Sequence, residues 1–387
     1  MATGVTRGRS VLIALVLFAL VGCQPAALTE SASAQPTEPP SASPSAPTAP
    51  TAPTAEPRDM FAEFPVPGGD GVRISGLAEV RGTLYAFGSV ERTGEVGSQP
   101  AIWASRDGEL WVAANVPPMR DRQDCVPDSG FDDCSLAGGI WDLVGAGDRL
   151  IALAAGGLAE GSGAFTTTIY ASVDGLTWVE VTETPGHEAG AHFSLALVDG
   201  RLIAGGHGVW SSDDGGATWR ESTTVADLRG TIFDLAVSDG LLVAVGGAGT
   251  SDIIEPPAVA WVSADRGDSW DRREIGGSFA SAVAVTEDNW LALGTDASGT
   301  TTWASTNGGE SWTQTSIGDC CPSDLVATPT GFVVLVDDGG VLVARPDAAA
   351  WSPIDADFDF VTGTWTPQFG LVLATRTTVV LAPNPFP

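Results

Sequence analysis

Three carboxylates recur at equivalent positions along the chain. Six apolar segments of similar pattern align on one aliphatic residue each, and the residue just before it is polar in four of them. The six aligned residues are Gly76, Asp142, Ser194, Asp234, Ala282 and Asp324. If the fold places these carboxylates at the same level of equivalent strands, they could catalyse the hydrolysis of a sugar bond or bind a cation. Alternatively, each could accept hydrogen bonds from backbone amides where neighbouring sheets meet. The sequence favours this structural role and leaves the chemical role open.

The three histidines of the chain also lie close together in sequence. His187 and His192 belong to one predicted loop, and His207 ends the next predicted hairpin. Imidazoles in such a cluster could bind a metal ion. Exposed loop histidines are the simpler interpretation, so we predict no metal site and no cofactor here.

An acidic loop carries two of the five cysteines. The segment RDRQDCVPDSGFDDC contains five aspartates together with Cys125 and Cys134. Calcium binding is conceivable, but the spacing differs from the Asp-x-Asp-x-Asp-Gly pattern of calcium loops, so a solvated loop is favoured. If the protein is exported, we expect a Cys125–Cys134 disulfide. The state of the adjacent Cys320 and Cys321 stays open.

The composition excludes several classes of partner. The 387 residues include 18 basic side chains, all of them Arg, and 48 acidic ones, for a formal net charge of −30. Such a charge repels the phosphates of nucleic acids and the headgroups of anionic lipids. The 48 Gly and 26 Pro residues are typical of many short strands joined by turns.

The N-terminal segment has the pattern of an export signal. Arg7 and Arg9 precede an apolar run over residues 11–21, which is too short to span a bilayer. The following Gly22-Cys23 completes a sequence that resembles the bacterial lipobox, in which the cysteine receives diacylglycerol. The alternative is an ordinary secretory signal cut at Ser31-Ala32-Ser33-Ala34.

The sequence therefore divides into three parts. Residues 1–22 are the predicted lipoprotein signal peptide, and Cys23 is the predicted lipidation site. Residues 23–58, rich in Pro, Ser, Thr and Ala, form a predicted tether between the lipid and the folded head. Residues 59–387 form the head, which we place on the extracytoplasmic side of a membrane, joined to it only through the lipid. Which membrane carries the anchor stays open.

The head contains a repeat. Five segments end in tryptophan: AIWASRDGELW, TIYASVDGLTW, GVWSSDDGGATW, VAWVSADRGDSW and TTWASTNGGESW. Their shared core, Ser-x-Asp-x-Gly-x-Thr-Trp, resembles the Asp box, or BNR repeat, of sialidase-like, photosystem-assembly-factor-like and sortilin-like β-propellers. The Asp or Asn and the Gly suit a tight turn, and the Trp can bury a large ring, so these residues are predicted to be structural. They are Asp107, Trp111, Asp174, Trp178, Asp214, Trp219, Asp265, Trp270, Asn307 and Trp312.

The resemblance implies an all-β fold, a single β-propeller with four antiparallel strands per blade. Each box and the hairpin before it account for one blade, and the blades are placed at residues 72–116, 138–182, 192–223, 231–275, 279–317 and 322–354. The C-terminus supplies three further strands. A spare strand, Phe61-Ala62-Glu63-Phe64, would complete a seventh blade and remove an open edge. Seven blades are therefore favoured, and six blades with a loose tail are the alternative.

The same resemblance places ligands on the face opposite the boxes. The candidates for that ligand face are Arg73, Trp141, Asp142, Asp234, Asp324, His192 and His207.

Catalysis is not favoured at this face. Arg73-Ile74 resembles the start of the sialidase Arg-Ile-Pro motif, with Ser75 replacing Pro, but the late Tyr nucleophile of sialidases has no counterpart, because Tyr85 and Tyr170 are both early. We therefore predict a monomeric, non-catalytic binding or scaffolding head for a protein or a glycan at the cell surface. A glycoside hydrolase is the alternative.

Overall fold

The computed structural model describes ten segments and one single residue of the head, and they are almost entirely β-strand. The described residues are 62–91, 98–119, 138–158, 165–183, 192–249, 257–286, 289–318, 322–336, 340–354, 356 and 358–382. Two short helical turns interrupt the strands within these segments, a 3-10 turn at Gly69–Gly71 and the four-residue helix α1 at Val225–Leu228. None of the described helices is long and apolar enough to cross a membrane.

The strands are short and follow one another closely. In chain order they are β1 Ala62–Pro65, β2 Val72–Val80, β3 Thr83–Glu91, β4 Ser98–Ser105, β5 Val112–Ala113, β6 Ile140–Ala146, β7 Arg149–Leu158, β8 Phe165–Ser172, β9 Val179–Glu183, β10 His192–Val198, β11 Arg201–Gly206, β12 Gly208–Ser212, β13 Arg220–Thr224, β14 Gly230–Ser238, β15 Leu241–Ala248, β16 Ala258–Ser263, β17 Asp271–Gly276, β18 Phe279–Val285, β19 Trp290–Asp296, β20 Gly299–Ser305, β21 Thr313–Gly318, β22 Pro322–Thr328, β23 Gly331–Val336, β24 Gly340–Ala344, β25 Trp351–Ile354, β26 Thr362–Thr366, β27 Gly370–Ala374 and β28 Thr378–Ala382.

These strands form seven four-stranded antiparallel sheets within the described segments, which are the blades of a β-propeller. Blades 1 to 6 are β2–β5, β6–β9, β10–β13, β14–β17, β18–β21 and β22–β25, each in chain order from the inner to the outer strand. Blade 7 consists of β26, β27 and β28 with β1 outside them. The prediction of seven blades is confirmed, and the alternative of six is wrong.

The N-terminal strand closes the ring, as the sequence predicted. β1 pairs antiparallel with β28, with Phe64 opposite Val379 and Pro65 opposite Thr378. The strand includes Pro65, one residue beyond the predicted end at Phe64, and Phe61 lies outside the described residues. Without it, the outer edge of β28 would present unpaired backbone groups to solvent, so the closure completes the last sheet and protects its edge.

The hydrophobic core lies between neighbouring blades. The second strand of each blade is buried on both faces, which is why β11 and β15 are nearly continuous apolar runs. One core cluster joins Tyr85 and Phe87 of blade 1 to Leu143 and Trp178 of blade 2. Because each sheet covers its neighbour's face, no blade has a complete core of its own.

In blades 1 and 4 the aromatic residue of the third strand bonds to the connection that enters the blade. Trp103 Nε1 donates to the carbonyl of Pro67 at 2.7 Å, and Trp261 Nε1 donates to the carbonyl of Leu228 at 3.1 Å. The ring thus fills the space between sheets while its polar atom holds the incoming chain.

A β-bulge near the start of each of the first six inner strands shapes the ring's centre. In β6 the pairing register shifts between Ile140 and Asp142, which leaves Trp141 outside the ladder. Ile140 and Leu143 are buried, whereas Trp141 and Asp142 between them are both half-buried. The bulge therefore turns two consecutive side chains out of the core, as bulges do near functional sites.

Candidate functional site

The candidate site lies at the N-terminal ends of the inner strands, around the propeller axis, and we call it the channel mouth. It comprises the residues at and beside the bulges of β6, β10, β14 and β22, with the start of β18. Asp142, Ser194, Asp234 and Asp324 each occupy the first paired position after the bulge of their strand. The structure thus places these residues at equivalent register positions, as the alignment of the sequence indicated.

Asp142 joins blade 2 to blade 3. Its Oδ1 accepts a hydrogen bond from the amide of Leu143 at 2.7 Å, in its own strand. Its Oδ2 accepts one from the amide of Leu195 at 2.6 Å and one from the hydroxyl of Ser194 at 3.1 Å, both in the next blade. Both carboxylate oxygens are therefore occupied by groups of the scaffold.

Asp234 repeats this arrangement between blades 4 and 5. Its Oδ1 accepts from the amide of Leu235 at 2.8 Å, and its Oδ2 accepts from the amide of Val283 at 2.8 Å. The buried hydroxyl of Ser194 also lies 3.1 Å from Asp234 Oδ1. One hydroxyl, with a single hydrogen to donate, thus stands between the carboxylates of Asp142 and Asp234.

Asp324 joins blade 6 to blade 7. Its Oδ1 accepts from the amide of Leu325 at 2.7 Å, and its Oδ2 accepts from the amide of Gly363 at 2.9 Å and the hydroxyl of Thr362 at 2.8 Å. The alignment of the sequence stopped at the sixth blade, and for that reason it missed Thr362.

The pKa values of all three carboxyl groups are raised. Burial is the largest cause, and it raises the pKa of Asp142 to about 6 and that of Asp234 to about 7. Burial also raises the pKa of Asp324. The amide hydrogen bonds act in the opposite direction, whereas repulsion from the other carboxylates adds to the rise for Asp142 and Asp234. Desolvation of the charged form therefore outweighs the hydrogen bonds at the channel mouth.

Four aromatic rings line the mouth beside these aspartates, and we call them the aromatic arc. They belong to Trp141, Phe193, Phe233 and Phe279. The centroids of successive rings lie 5.0, 5.5 and 6.0 Å apart from blade 2 to blade 5, and all four side chains are half-buried. The ring of His207 lies 6.1 Å from that of Phe193.

Sequence reasoning singled out only Trp141 and His207 among these rings. A signal for two more was present, because Phe193 and Phe233 directly precede the aligned polar residues, as Trp141 does. Phe279 lies two residues before the bulged position of its strand and carries no such signal.

The remaining predicted site residues are placed less centrally or not described. Arg73 lies in β2, where its Nη2 donates to Glu91 Oε1 at 3.0 Å within the same blade. His192 begins β10, and its side chain is not described. His187, the acidic loop with Cys125 and Cys134, the pair Cys320 and Cys321, and Cys23 lie outside the described residues. The described part of the chain holds no group of three or more His, Cys, Asp or Glu side chains suited to a metal ion.

The predicted box residues form the hairpins between the third and fourth strands of blades 1 to 5. In the second copy, Asp174 Oδ1 accepts from the amides of Leu176 and Thr177 at 2.9 and 2.7 Å. The Ser172 hydroxyl lies 3.0 Å from Asp174 Oδ1 and accepts from the amide of Gly175, whose φ is 75°. Positive φ suits glycine, which explains its place in the turn.

The same contacts recur in the other copies. The paired side chains are Ser105 with Asp107, Ser212 with Asp214, Ser263 with Asp265, and Ser305 with Asn307. The box aspartates are exposed, and backbone or side-chain hydrogen bonds lower the pKa of Asp174 and that of Asp214 to about 2. These side chains build turns, and their hydrogen bonds are made within the turn itself.

Comparison with known proteins shows the fold. No family model matches the chain, and no curated protein matches it. A structure of YCF48 bound to a D1 peptide has a TM-score of 0.56 at 15% identity, and the match covers 84% of this chain and 96% of that one. The GH74 xyloglucanase of Xanthomonas campestris has a TM-score of 0.55 at 20% identity, with 82% of this chain covered.

PorZ, a surface component of the type-IX secretion system of Porphyromonas gingivalis, has a TM-score of 0.56 at 10% identity, with 86% of this chain covered. The chain spans 53% of the xyloglucanase and 48% of PorZ, about half of each. All three matches are propellers.

Proposed function

We propose that this protein is a non-catalytic binding head whose channel mouth contacts a protein or a glycan, held at the cell surface by a lipid on Cys23. One observation carries the proposal. The carboxylates at the mouth are occupied in joining blades, whereas the half-buried rings of the aromatic arc beside them are partly accessible to solvent. The aspartates, which could act in catalysis, thus already accept hydrogen bonds from the scaffold. The aromatic rings, which could contact a ligand, are partly exposed.

The position of Ser194 argues against glycoside hydrolysis by Asp142 and Asp234. Its hydroxyl lies 3.1 Å from an oxygen of each, so those two oxygens are no more than twice that distance apart. Retaining glycosidases do place two carboxyl groups about 5–5.5 Å apart, but the sugar bond must lie between them. Here a serine side chain fills that space.

The aromatic arc suits a binding surface. Aromatic side chains offer a large contact area with few rotatable bonds, so little conformational entropy is lost when a ligand binds them. The YCF48 complex is a propeller of this fold with a peptide bound. It supports peptide binding as one way in which such a head can act without catalysis.

The alternative, a glycoside hydrolase, is favoured by the raised pKa values of Asp142 and Asp234. A carboxyl group that holds its proton near neutral pH can act as a general acid. The fold is also shared with a xyloglucanase. This function would require Ser194 to move away from the two carboxylates.

Binding and hydrolysis can be separated with variants of the two groups. Peptide and glycan arrays probed with the purified protein should yield a ligand, and Phe193→Ala or Phe233→Ala should weaken its binding by about tenfold or more. Trp365→Ala is the matched control, since this half-buried aromatic lies toward the other end of an inner strand, in blade 7. Binding should survive it.

The proposal would be contradicted if the protein hydrolyses a glycoside and if Asp142→Asn or Asp234→Asn abolishes that hydrolysis while circular dichroism shows an intact fold. Those replacements should change affinity at most, because a binding head breaks no bond.

The location and the repeat family belong to the same proposal. A signal at residues 1–22, a tether at 23–58 and the head at 59–387 would present the channel mouth away from the membrane. The turns with Ser, Asp, Gly and Trp support an assignment to the Asp-box propellers.

Replacing Cys23 with Ala should release the protein from membranes or leave it unprocessed, as measured by fractionation and mass spectrometry. A variant that stays membrane-bound with its signal removed as usual would overturn the lipid anchor.

A further inference from the structure

Two rows of side chains cross the channel mouth side by side over blades 2, 3 and 4. The row of rings consists of the first three members of the aromatic arc, Trp141, Phe193 and Phe233. The polar row consists of the residues that directly follow them in sequence, Asp142, Ser194 and Asp234. Each ring occupies the bulged position of its strand, and its polar neighbour is the first paired residue after the bulge. The hydrogen bonds of the polar row therefore also fix the backbone that carries the rings.

The polar row has too few hydrogens when both of its carboxyl groups are ionised. Ser194 Oγ lies 3.1 Å from Asp142 Oδ2 and 3.1 Å from Asp234 Oδ1. A hydroxyl group has one hydrogen and an ionised carboxylate has none, so only one of the two contacts can then be a hydrogen bond. With one added proton both contacts become hydrogen bonds, because Asp234 donates to Ser194 and Ser194 donates to Asp142. The geometry thus fits a single proton that is shared along the row.

Loss of that proton brings two like charges together. The two carboxylate oxygens lie on either side of one hydroxyl, at a depth where water screens their repulsion poorly. Burial raises the pKa of Asp142 to about 6 and that of Asp234 to about 7, and the charge of Asp142 adds to the rise for Asp234. The two groups titrate as a pair, and the pair becomes doubly negative just above neutral pH.

The cations on the neighbouring strands do not offset this charge. Arg149 and Arg201 lie opposite the last residues of β6 and β10, at the other end of those strands from the mouth. Arg73 lies at the mouth end of β2, but it is paired with Glu91. The strands β15 and β18, which pack against β14, carry no charged residue.

The other titratable groups near the row are one aspartate, one glutamate and two histidines. Asp324 adds repulsion that raises the pKa of both aspartates of the row. Glu79 lies toward the far end of β2, opposite Leu84. The ring of His207 lies on the other side of the arc, 6.1 Å from that of Phe193, and the side chain of His192 is not described.

We propose that the channel mouth binds its ligand under the control of pH, because one proton shared by Asp142, Ser194 and Asp234 holds the first three rings of the arc in the arrangement that contacts the ligand. Above neutral pH the two carboxylates repel each other, one contact of Ser194 is lost, and the rings move apart. Binding is therefore strong near pH 6 and weaker above about pH 8. The effect on binding rests on the proposed function, whereas the movement of the rings does not.

Fluorine NMR of the full protein labelled with 5-fluorotryptophan tests the movement of the rings without a ligand. The resonance of Trp141 is assigned by its loss in Trp141→Phe. Between about pH 5 and pH 8.5 it should shift with a midpoint near 7. Asp234→Asn should abolish the shift, because its amide group donates to Ser194 at every pH, as the protonated carboxyl group does. Asp142→Asn should instead lower the midpoint, because Asp234 loses a repelling charge.

Asp324→Asn and His207→Gln are the matched controls. Asp324 accepts hydrogen bonds from Leu325, Thr362 and Gly363, so it lies outside the polar row. Its replacement should keep the shift of Trp141 and lower the midpoint slightly, since Asp324 only repels the pair. His207→Gln should leave the shift and its midpoint unchanged.

The binding step is measured with the strongest peptide from the arrays, resynthesised without histidine and with an acetylated N-terminus, or with the strongest neutral glycan. Such a probe does not itself titrate between about pH 6 and pH 8.5. Its affinity should fall by about tenfold over this range, a typical coupling between two sites. Asp234→Asn should keep the high affinity at both ends of the range.

Four results would overturn parts of the proposal. A Trp141 resonance that does not titrate between about pH 6 and pH 8, or that titrates unchanged in both Asp234→Asn and Asp142→Asn, would overturn the shared proton. A titration abolished by His207→Gln would assign the shift to the histidine. An affinity independent of pH while Trp141 titrates would overturn the control of binding alone. Arrays that yield no ligand would overturn the proposed function and with it the control of binding, and the NMR titration would still decide the shared proton.

Discussion

The aspartates of the channel mouth and those of the box turns accept the same kind of hydrogen bond, yet their pKa values move in opposite directions. Asp174 and Asp214 accept backbone amides in exposed turns, and their pKa values fall to about 2. Asp142 and Asp234 accept backbone amides between blades, and burial raises their pKa values to about 6 and about 7. The number of hydrogen bonds is similar, so exposure to water decides the sign.

Aspartate therefore has two different structural roles in this protein, one in the box turns and one at the channel mouth. A box aspartate stabilises a turn within six or seven consecutive residues and keeps its charge in water. A mouth aspartate bonds to an amide that is about fifty residues away in sequence, as Asp142 does with Leu195. It contributes only when the next blade is in place, and it does so at the cost of desolvating a carboxylate.

The largest expected effect is the loss of a mouth aspartate. Asp234→Ala leaves the amide of Val283 without its acceptor and leaves that of Leu235 with only the longer bond to the Ser194 hydroxyl. It should lower the free energy of unfolding by about 2–3 kcal/mol. Asp214→Ala frees amides that water can reach and should cost about 1 kcal/mol, as the loss of a helix cap does. Urea denaturation with a fitted slope measures both. Equal losses in the two variants would contradict the comparison.

The pH dependence of stability should have two limbs of opposite sign. The raised pKa values of Asp142 and Asp234 mean that the folded state binds more protons than the unfolded state, whose aspartates titrate near 3.8. This stability is fully present below about pH 4 and is lost as the pH rises through 6 and 7. The lowered pKa values of Asp174 and Asp214 act conversely, since that stability is lost as the pH falls from about 4 through 2.

Thermal unfolding from pH 2 to pH 8 tests both limbs. The midpoint should pass through a maximum near pH 4 and should decline from there to about pH 7. In the double variant Asp142→Asn, Asp234→Asn, the decline between about pH 4 and pH 7 should become shallower, and the decline below pH 4 should stay. An undiminished decline between about pH 4 and pH 7 in that variant would show that other groups cause it.

The smallest expected effect concerns the two serines that donate to these carboxylates. The hydroxyl of Ser194 lowers the pKa of Asp142, and that of Ser212 lowers the pKa of Asp214. Ser194→Ala and Ser212→Ala should therefore both raise the pKa of the neighbouring aspartate. Carbon-detected NMR titration of the carboxyl groups measures the two shifts. If either pKa falls, the hydroxyl is not donating to the carboxylate as the structure indicates.

Much of the fold could be predicted from the sequence because the repeat is local. Ser, Asp, Gly and Trp stand within one turn, and each apolar run beside it has the length of a strand, so blade number and strand order follow from counting. The closure by β1 followed from a spare strand and an unfinished sheet. The sequence also predicted that four polar residues occupy the same level of their inner strands, since the pairing register keeps aligned residues level. They are Asp142, Ser194, Asp234 and Asp324.

The site was less predictable because its contacts join different blades. The position of Asp142 could be predicted, but its bonds to Leu195 and Ser194 depend on how two sheets pack. The aromatic arc depends on the bulges, which turn Trp141, Phe193 and Phe233 out of the core. The fourth box has Arg266 where the fifth has Gly308, but only the structure shows that the indole N–H of Trp312 is used and that of Trp270 is not.

The sequence by itself determined the elements of this protein, namely the turns, the strands and their number. These depend on backbone preferences and hydrophobic patterns that act over a few residues. The tertiary structure alone decided which carboxyl groups have a raised pKa, which rings form the arc and which polar atoms remain without a partner. The physical reason is that burial and the low dielectric between blades arise only when distant segments pack together, and they then outweigh the local hydrogen bonds.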